Sequence, residues 1–133
     1  MSTDPELLVV VPYHNRQDTI QRTVDSILSQ TYGDLQLLIV DDASDIPARE
    51  VVDPDPRIRF FDMRRNCGRY FVDAVASRAN PYAYYMPHDS DDVSVPERVQ
   101  VLKARMDGDG LDAVYNLVHR VNLDGPESRI NPQ

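Results

Sequence analysis

Apolar residues come in short blocks along this chain, and the spacing inside each block predicts the element it forms. Leu7-Leu8-Val9-Val10-Val11 is a continuous, largely β-branched run halted by Pro12. It predicts a strand buried on both faces. Ile20, Val24, Ile27 and Leu28 then recur at helical spacing, with Asp18 as the expected cap and Thr31–Asp34 as the end. Leu35–Val40 reads as a second buried strand, and Asp41–Asp45 as the loop at its carboxyl end. Two prolines make Asp53–Pro56 a turn, Ile58–Phe61 forms a third short strand, and Asn66-Cys67-Gly68 is a loop. Tyr70–Ala79 places Val72, Val75, Ala76 and Ala79 on one helical face. After Pro81, Tyr82–Met86 is the strand that delivers the acidic stretch His88-Asp89-Ser90-Asp91-Asp92. Ser94-Val95-Pro96-Glu97 has the form of a capping box opening a helix to about Met106. Asp107–Gly110 closes that helix, and Ala113–Val121 alternates as a last strand.

This order is an α/β layout, whose short connections imply a mostly parallel sheet covered by helices. In such sheets ligands bind beyond the carboxyl ends of the strands. By that rule Pro12–Asn15, Asp41–Asp45 and Asp89–Asp92 share one edge of the sheet. Three carboxylates within Asp89–Asp92 repel one another and are not stable bare in a buried setting. One reading makes them a solvated turn that caps the next helix. The other places a hard divalent cation among them, since Mg²⁺ is commonly held by one or two carboxylates plus substrate phosphates. Convergence with two further polar loops favours the cation, with Asp89 and Asp91 as its ligands.

Composition narrows the picture. At 133 residues the chain is expected to be one domain, 1–133, with 123–133 as a poorly ordered tail. A net charge of −8 excludes the broad basic face that nucleic acids require. An acidic chain that binds phosphates needs a metal or a few local arginines. Cys67 is the single cysteine, so no internal disulfide exists and an oxidising compartment is not implied. No apolar run reaches the length of a membrane span or a signal peptide. A cytoplasmic protein is expected, with membrane association only through a partner.

Several motifs, in order and at regular intervals, resemble a known family. Val9-Val10-Val11-Pro12-Tyr13-His14-Asn15, then Ser26-Ile27-Leu28-Ser29-Gln30-Thr31-Tyr32, then Leu38-Ile39-Val40-Asp41-Asp42-Ala43-Ser44 are similar to the opening of a family 2 glycosyltransferase. Asn66-x-Gly68 and Asp89-Ser90-Asp91-Asp92 followed by Pro96 continue the pattern. The resemblance spans roughly residues 6 to 122. It implies the GT-A fold, a Rossmann-like three-layer sandwich, and transfer of a sugar from a nucleoside-diphosphate donor, with uridine as the favoured base. It implies an inverting, metal-dependent reaction with Mn²⁺ or Mg²⁺. Pro12, His14 and Asn15 fall where the family's first loop lines the base. Asp42 falls where the family's second acid accepts a hydrogen bond from the base, while Asp41 holds the loop. Asn66 and Gly68 belong to the same nucleotide-binding set. Asp89 stands near the ribose, Asp91 ligates the metal on the diphosphate, and Asp92 orders the loop or caps the helix.

Two departures from that pattern matter. Asp73 stands where the family commonly has a basic or amide residue, so Arg69 is the expected substitute on the phosphate, with Tyr70 packing on the base. Arg57, Arg59, Arg64 and Arg65 read as a solvated basic edge. Second, an inverting enzyme needs a carboxylate base for the acceptor hydroxyl, and the family's base lies far downstream of Asp-x-Asp. No acid after Asp91 is assigned to that role. The chain therefore reads as the nucleotide-binding half of such an enzyme, lacking the full acceptor half. A partner segment or a homo-oligomer would complete the site for a glycan or other hydroxyl acceptor. The alternatives are a non-catalytic nucleotide-sugar-binding module and, less favoured, a phosphorylation-receiving domain built on Asp41-Asp42. His14 and His88 read as hydrogen-bond partners of the crevice, His119 as structural, and Tyr82, Tyr84 and Tyr85 as packing residues.

Overall fold

The computed structural model describes residues 5–68, 72, 76, 81–116, 119–121 and 130–132. It contains β1 (Leu7–Tyr13), α1 (Ile20–Leu28), β2 (Leu35–Asp41), α2 (Ala48–Val51), β3 (Ile58–Asp62), β4 (Tyr84–Pro87), α3 (Arg98–Asp109), β5 (His119–Val121) and β6 (Ile130–Pro132). Two compact units are distinguished, Met1–Arg98 and Val99–Gln133.

The first unit is built on a four-stranded, wholly parallel sheet in the order β3-β2-β1-β4. The two central strands carry the two apolar runs Leu7–Val11 and Leu35–Val40, and both of their faces are covered: Val9, Val10, Val11, Leu37 and Ile39 have no exposed surface. Each such valine contributes about 1.5–3 kcal/mol on burial. Alternation sends Leu8, Val10 and Val40 to one face, where they pack with Val72 and Ala76, both of them helical. The opposite face holds Val9, Val11, Leu37 and Ile39, and α1 covers it with Ile20, Val24 and Ile27. Helix, sheet and helix make the three layers expected of this pattern. β3 and β4 flank the sheet and are only partly buried.

The chain runs from β1 to β2 to β3 in one direction, then returns to place β4 on the other side of β1. The order therefore reverses between β1 and β4, which is where a doubly wound sheet opens a crevice at its carboxyl edge.

Several boundaries differ from the pattern-based expectation. Pro12 does not halt β1; the strand continues to Tyr13, with Pro12 opposite Val40. In a parallel strand the N–H and C=O of one residue face the same neighbour. The Tyr13 carbonyl accepts from Asp42 N on the β2 side and the Val10 carbonyl accepts from His88 N on the β4 side. The missing Pro12 donor therefore faces the β4 side, where pairing has already ended at Pro87. No ladder bond is lost.

Asp18 does not cap α1. Thr19 occupies the cap position, and its hydroxyl is engaged elsewhere. The Ser94–Glu97 capping box is also absent: α3 starts at Arg98, because the Ser94 hydroxyl is taken by His88 and Arg98. That helix runs past Met106 to Asp109, and Gly110 at φ 63° ends it with Leu111 N donating to the Met106 carbonyl. A positive φ and this six-residue closure make a Schellman stop. Of the expected strand Ala113–Val121, residues 113–116 are not strand and β5 covers only His119–Val121. Within the tail 123–133, Ile130–Pro132 pairs antiparallel with β5. Of the expected helix Tyr70–Ala79, only Val72 and Ala76 are among the described residues. α2 was not legible in the pattern, being a single turn. No helix among the described residues is long and apolar enough to cross a membrane.

Candidate functional site

Beyond the carboxyl ends of β1 and β4 lies an open cavity of about 350 Å³, lined by Pro12, Tyr13, His14, Arg16, Asp42, Asp89, Ser90 and Asp91. The three polar segments read from the sequence thus meet at one hollow. Pro12, His14, Asp42, Asp89 and Asp91 line it directly. Asn15, Asn66 and Gly68 stand behind it as its fasteners, and Arg69 lies outside the described residues.

The two acids at the end of β2 divide the work. Asp41 is buried; its Oδ1 accepts from Ser44 N at 3.0 Å and its Oδ2 from Ala48 N at 2.8 Å. It shapes its own loop, as expected. Asp42 is 4% exposed and uses both oxygens on another loop: Oδ1 accepts from Cys67 N at 2.7 Å and Oδ2 from Gly68 N at 2.8 Å. The carboxylate expected to read the base is therefore also the anchor of the Asn66–Gly68 turn. Gly68 has φ 83°, a backbone state that suits glycine.

The first loop is locked to the second. Asn15, at φ 52°, accepts from Asp45 N through Oδ1 at 2.8 Å, and its own N–H donates to Ser44 Oγ at 3.0 Å. His14 Nδ1 is 2.7 Å from the Asp42 carbonyl, so it carries the proton; Nε2 then accepts from Asn66 Nδ2 at 3.2 Å. Ala43 also sits at positive φ, 56°, without the side-chain hydrogen bonding that eases asparagine there. Ala43→Val is expected to lower stability by about 1–2 kcal/mol, and Ala43→Gly to be neutral or mildly stabilising. Thermal melts of the two variants check the sign of each.

The acidic loop is held from the other side by a feature the apolar pattern hid. Thr19, Thr23, Ser26 and Gln30 form a second, polar stripe on α1 and just beyond it, beside the apolar one. Thr19 Oγ1 donates to the Ser90 carbonyl at 2.9 Å, and Thr23 Oγ1 is 3.0 Å from the Ser90 and 2.7 Å from the Asp92 carbonyl. Ser26 Oγ accepts from Ser94 N, and Gln30 Nε2 donates to the Val95 carbonyl. Their spacing of four, three and four residues was the available signal. Behind the loop, His88 is buried; Nδ1 donates to the Asp89 carbonyl at 2.8 Å and Nε2 accepts from Ser94 Oγ at 2.7 Å. Burial pushes its pKa down, so the imidazole is neutral and serves as scaffold.

Asp89, Asp91 and Asp92 each offer a carboxylate oxygen, and these oxygens lie within 4.8 Å of one another. Asp92 joins the cluster rather than capping a helix. Desolvation, and then the charges of Asp89 and Asp91, push its pKa up. A hard divalent cation fits this all-oxygen donor set, because it relieves the repulsion that raises Asp92.

Fold and site together define a doubly wound α/β domain with a polar, acid-lined cavity at its switch point. The sequence matches the family model described as Glycosyl transferase family 2 over residues 8–132. The chain belongs to that family. Among curated proteins it is similar to the succinoglycan biosynthesis protein ExoO of Rhizobium meliloti (strain 1021), 31% identical over 128 residues, covering 95% of this chain and 37% of that protein. Among solved structures it is similar to S. aureus TarS 1-349 in complex with UDP-GlcNAc, with a TM-score of 0.66 and 20% identity over 77% of this chain and 31% of that one. It is also similar to the mannosyltransferase PcManGT from Pyrobaculum calidifontis, solved with GDP-Man and Mn2+, with a TM-score of 0.57 and 19% identity over 75% of this chain and 31% of that one. At these identities the structural likeness concerns the GT-A fold. The chain spans about a third of the length of ExoO.

Proposed function

We propose that this chain carries the donor site of a nucleotide-sugar-dependent glycosyltransferase. The observation that supports it best is the single cavity shared by Pro12, His14 and Asp42 on one side and Asp89 and Asp91 on the other. Pro12 and His14 line the nucleoside base, Asp42 accepts from it with the lone pairs left by Cys67 and Gly68, and Asn15, Asn66 and Gly68 hold these walls in register. Asp89 lies toward the ribose. Asp91 and Asp89, with Asp92 beside them, hold Mn²⁺ or Mg²⁺. When bound, that ion supplies Lewis-acid stabilisation of the negative charge on the leaving diphosphate. The sugar's bond to the diphosphate breaks, its electrons staying on the diphosphate, as a bond to the acceptor oxygen forms with inversion; the hydroxyl proton passes to a carboxylate base of the acceptor half. Uridine is the base that the sequence resemblance favours, and a cytoplasmic setting agrees with this reading.

Thermal melts with UDP, GDP and dTDP, each with and without Mn²⁺, test the proposal. A ligand at 100 times its Kd stabilises by about 2.7 kcal/mol. The largest rise in Tm is expected with UDP and Mn²⁺ together. No rise with any of the three nucleotides overturns the reading.

A further inference from the structure

Among the cavity-lining residues Arg16 is the one arginine or lysine, and it shares the lining with Asp42, Asp89 and Asp91. Its backbone is fixed in the turn that opens α1, where its carbonyl accepts from Thr19 N at 3.2 Å and Ile20 N at 3.0 Å. Through Thr19, whose hydroxyl reaches the Ser90 carbonyl, that turn is tied to the acidic loop. The Arg16 side chain is exposed, and among the described residues no carboxylate forms an ion pair with it. Asp42 is already committed to Cys67 and Gly68. The guanidinium is thus an unspent positive charge on the wall of an acid-lined hollow.

Charge balance says what it meets. One divalent ion offsets Asp89 and Asp91, so a diphosphate arriving there brings negative charge that the ion does not fully neutralise. A guanidinium presents a planar fork that matches phosphate oxygens. The geometry points to Arg16 as a diphosphate-binding residue that makes this site select a nucleoside diphosphate over the bare nucleoside. Arg69, to which the sequence resemblance gives a phosphate contact, lies outside the described residues. This inference rests on the donor-site reading above.

Calorimetric titration of the chain with UDP and with uridine, in Mn²⁺ and at two salt concentrations, tests it on the wild type, Arg16→Gln and Arg16→Lys. GDP and dTDP with their nucleosides replace the uridine pair if one of them binds the wild type better. Arg16→Gln is expected to weaken the diphosphate about 10- to 100-fold. Nucleoside affinity should stay unchanged, and the salt dependence of diphosphate binding should fall. Arg16→Lys is expected to recover part of the loss, because it keeps the charge without the fork. Equal diphosphate affinity in Arg16→Gln and wild type overturns the assignment, as does an equal loss for nucleoside and diphosphate. A wild type that binds none of the three diphosphates sinks the donor-site reading and this inference with it.

Discussion

Replacing Asp91 with alanine is expected to abolish the Mn²⁺-dependent part of nucleotide binding while leaving the fold intact. Asp91 is exposed at the rim of the cavity and its carboxylate belongs to the three-acid cluster. Removing a metal ligand forfeits several kcal/mol of interaction between cation and diphosphate, roughly 10²- to 10³-fold in affinity at about 1.4 kcal/mol per tenfold. Stability without ligand should hold or rise by a few tenths of a kcal/mol, since one of three mutually repelling charges is gone. Uridine alone, which does not need the ion, should bind as before. Titration with UDP and uridine, plus a melt of the free protein, separates these effects. A variant that keeps the wild-type response to UDP with Mn²⁺ removes Asp91 from the site.

Asp42→Asn is expected to act in the opposite way, damaging both structure and ligand binding. The carboxylate accepts two short backbone hydrogen bonds, from Cys67 and Gly68, in a buried position. An amide offers one oxygen and turns a donor toward the other N–H. One charge-assisted bond is lost and a buried donor is left without an acceptor, each costing about 1–3 kcal/mol. Against a total stability of about 5–15 kcal/mol this is a large fraction. A fall in Tm together with loss of both UDP and uridine binding is the expected outcome. Unchanged melting would show that the Asn66–Gly68 turn does not depend on Asp42. The two variants together distinguish an acid that serves the ligand alone from one that also builds the wall.

Most of the architecture of the described residues is legible in the sequence. Apolar runs at 7–11 and 35–40, the second interrupted only by Gln36, call for burial on both faces, so they became the central strands. The apolar period of α1 allowed one docking face, and a helical crossover between strands buried on both faces dictated parallel pairing. The acidic and polar turns were equally legible, because charge clustered after an apolar run has few other places to go. Errors gathered where a residue's local preference met a distant partner. Pro12 is a breaker by local rule, yet its missing donor falls where β4 has already ended. Ser94 is a fine cap by local rule, yet His88 and Arg98 claim its hydroxyl.

What local pattern encodes is burial and turn chemistry, since each depends on a residue and its near neighbours. Runs, periods and clustered charge therefore told where the strands, the helix and the reactive loops would be. Which side chains grip which backbone groups across 25 to 71 positions depends on strand order, and that emerges only once the sheet is assembled. The reversal between β1 and β4, the Asp42 hold on Cys67 and Gly68, and the polar stripe of Thr19, Thr23, Ser26 and Gln30 are all of this second kind. A polar spacing such as that of the α1 stripe shows that a face seeks partners, but which distant group each side chain meets is decided only by folding in three dimensions.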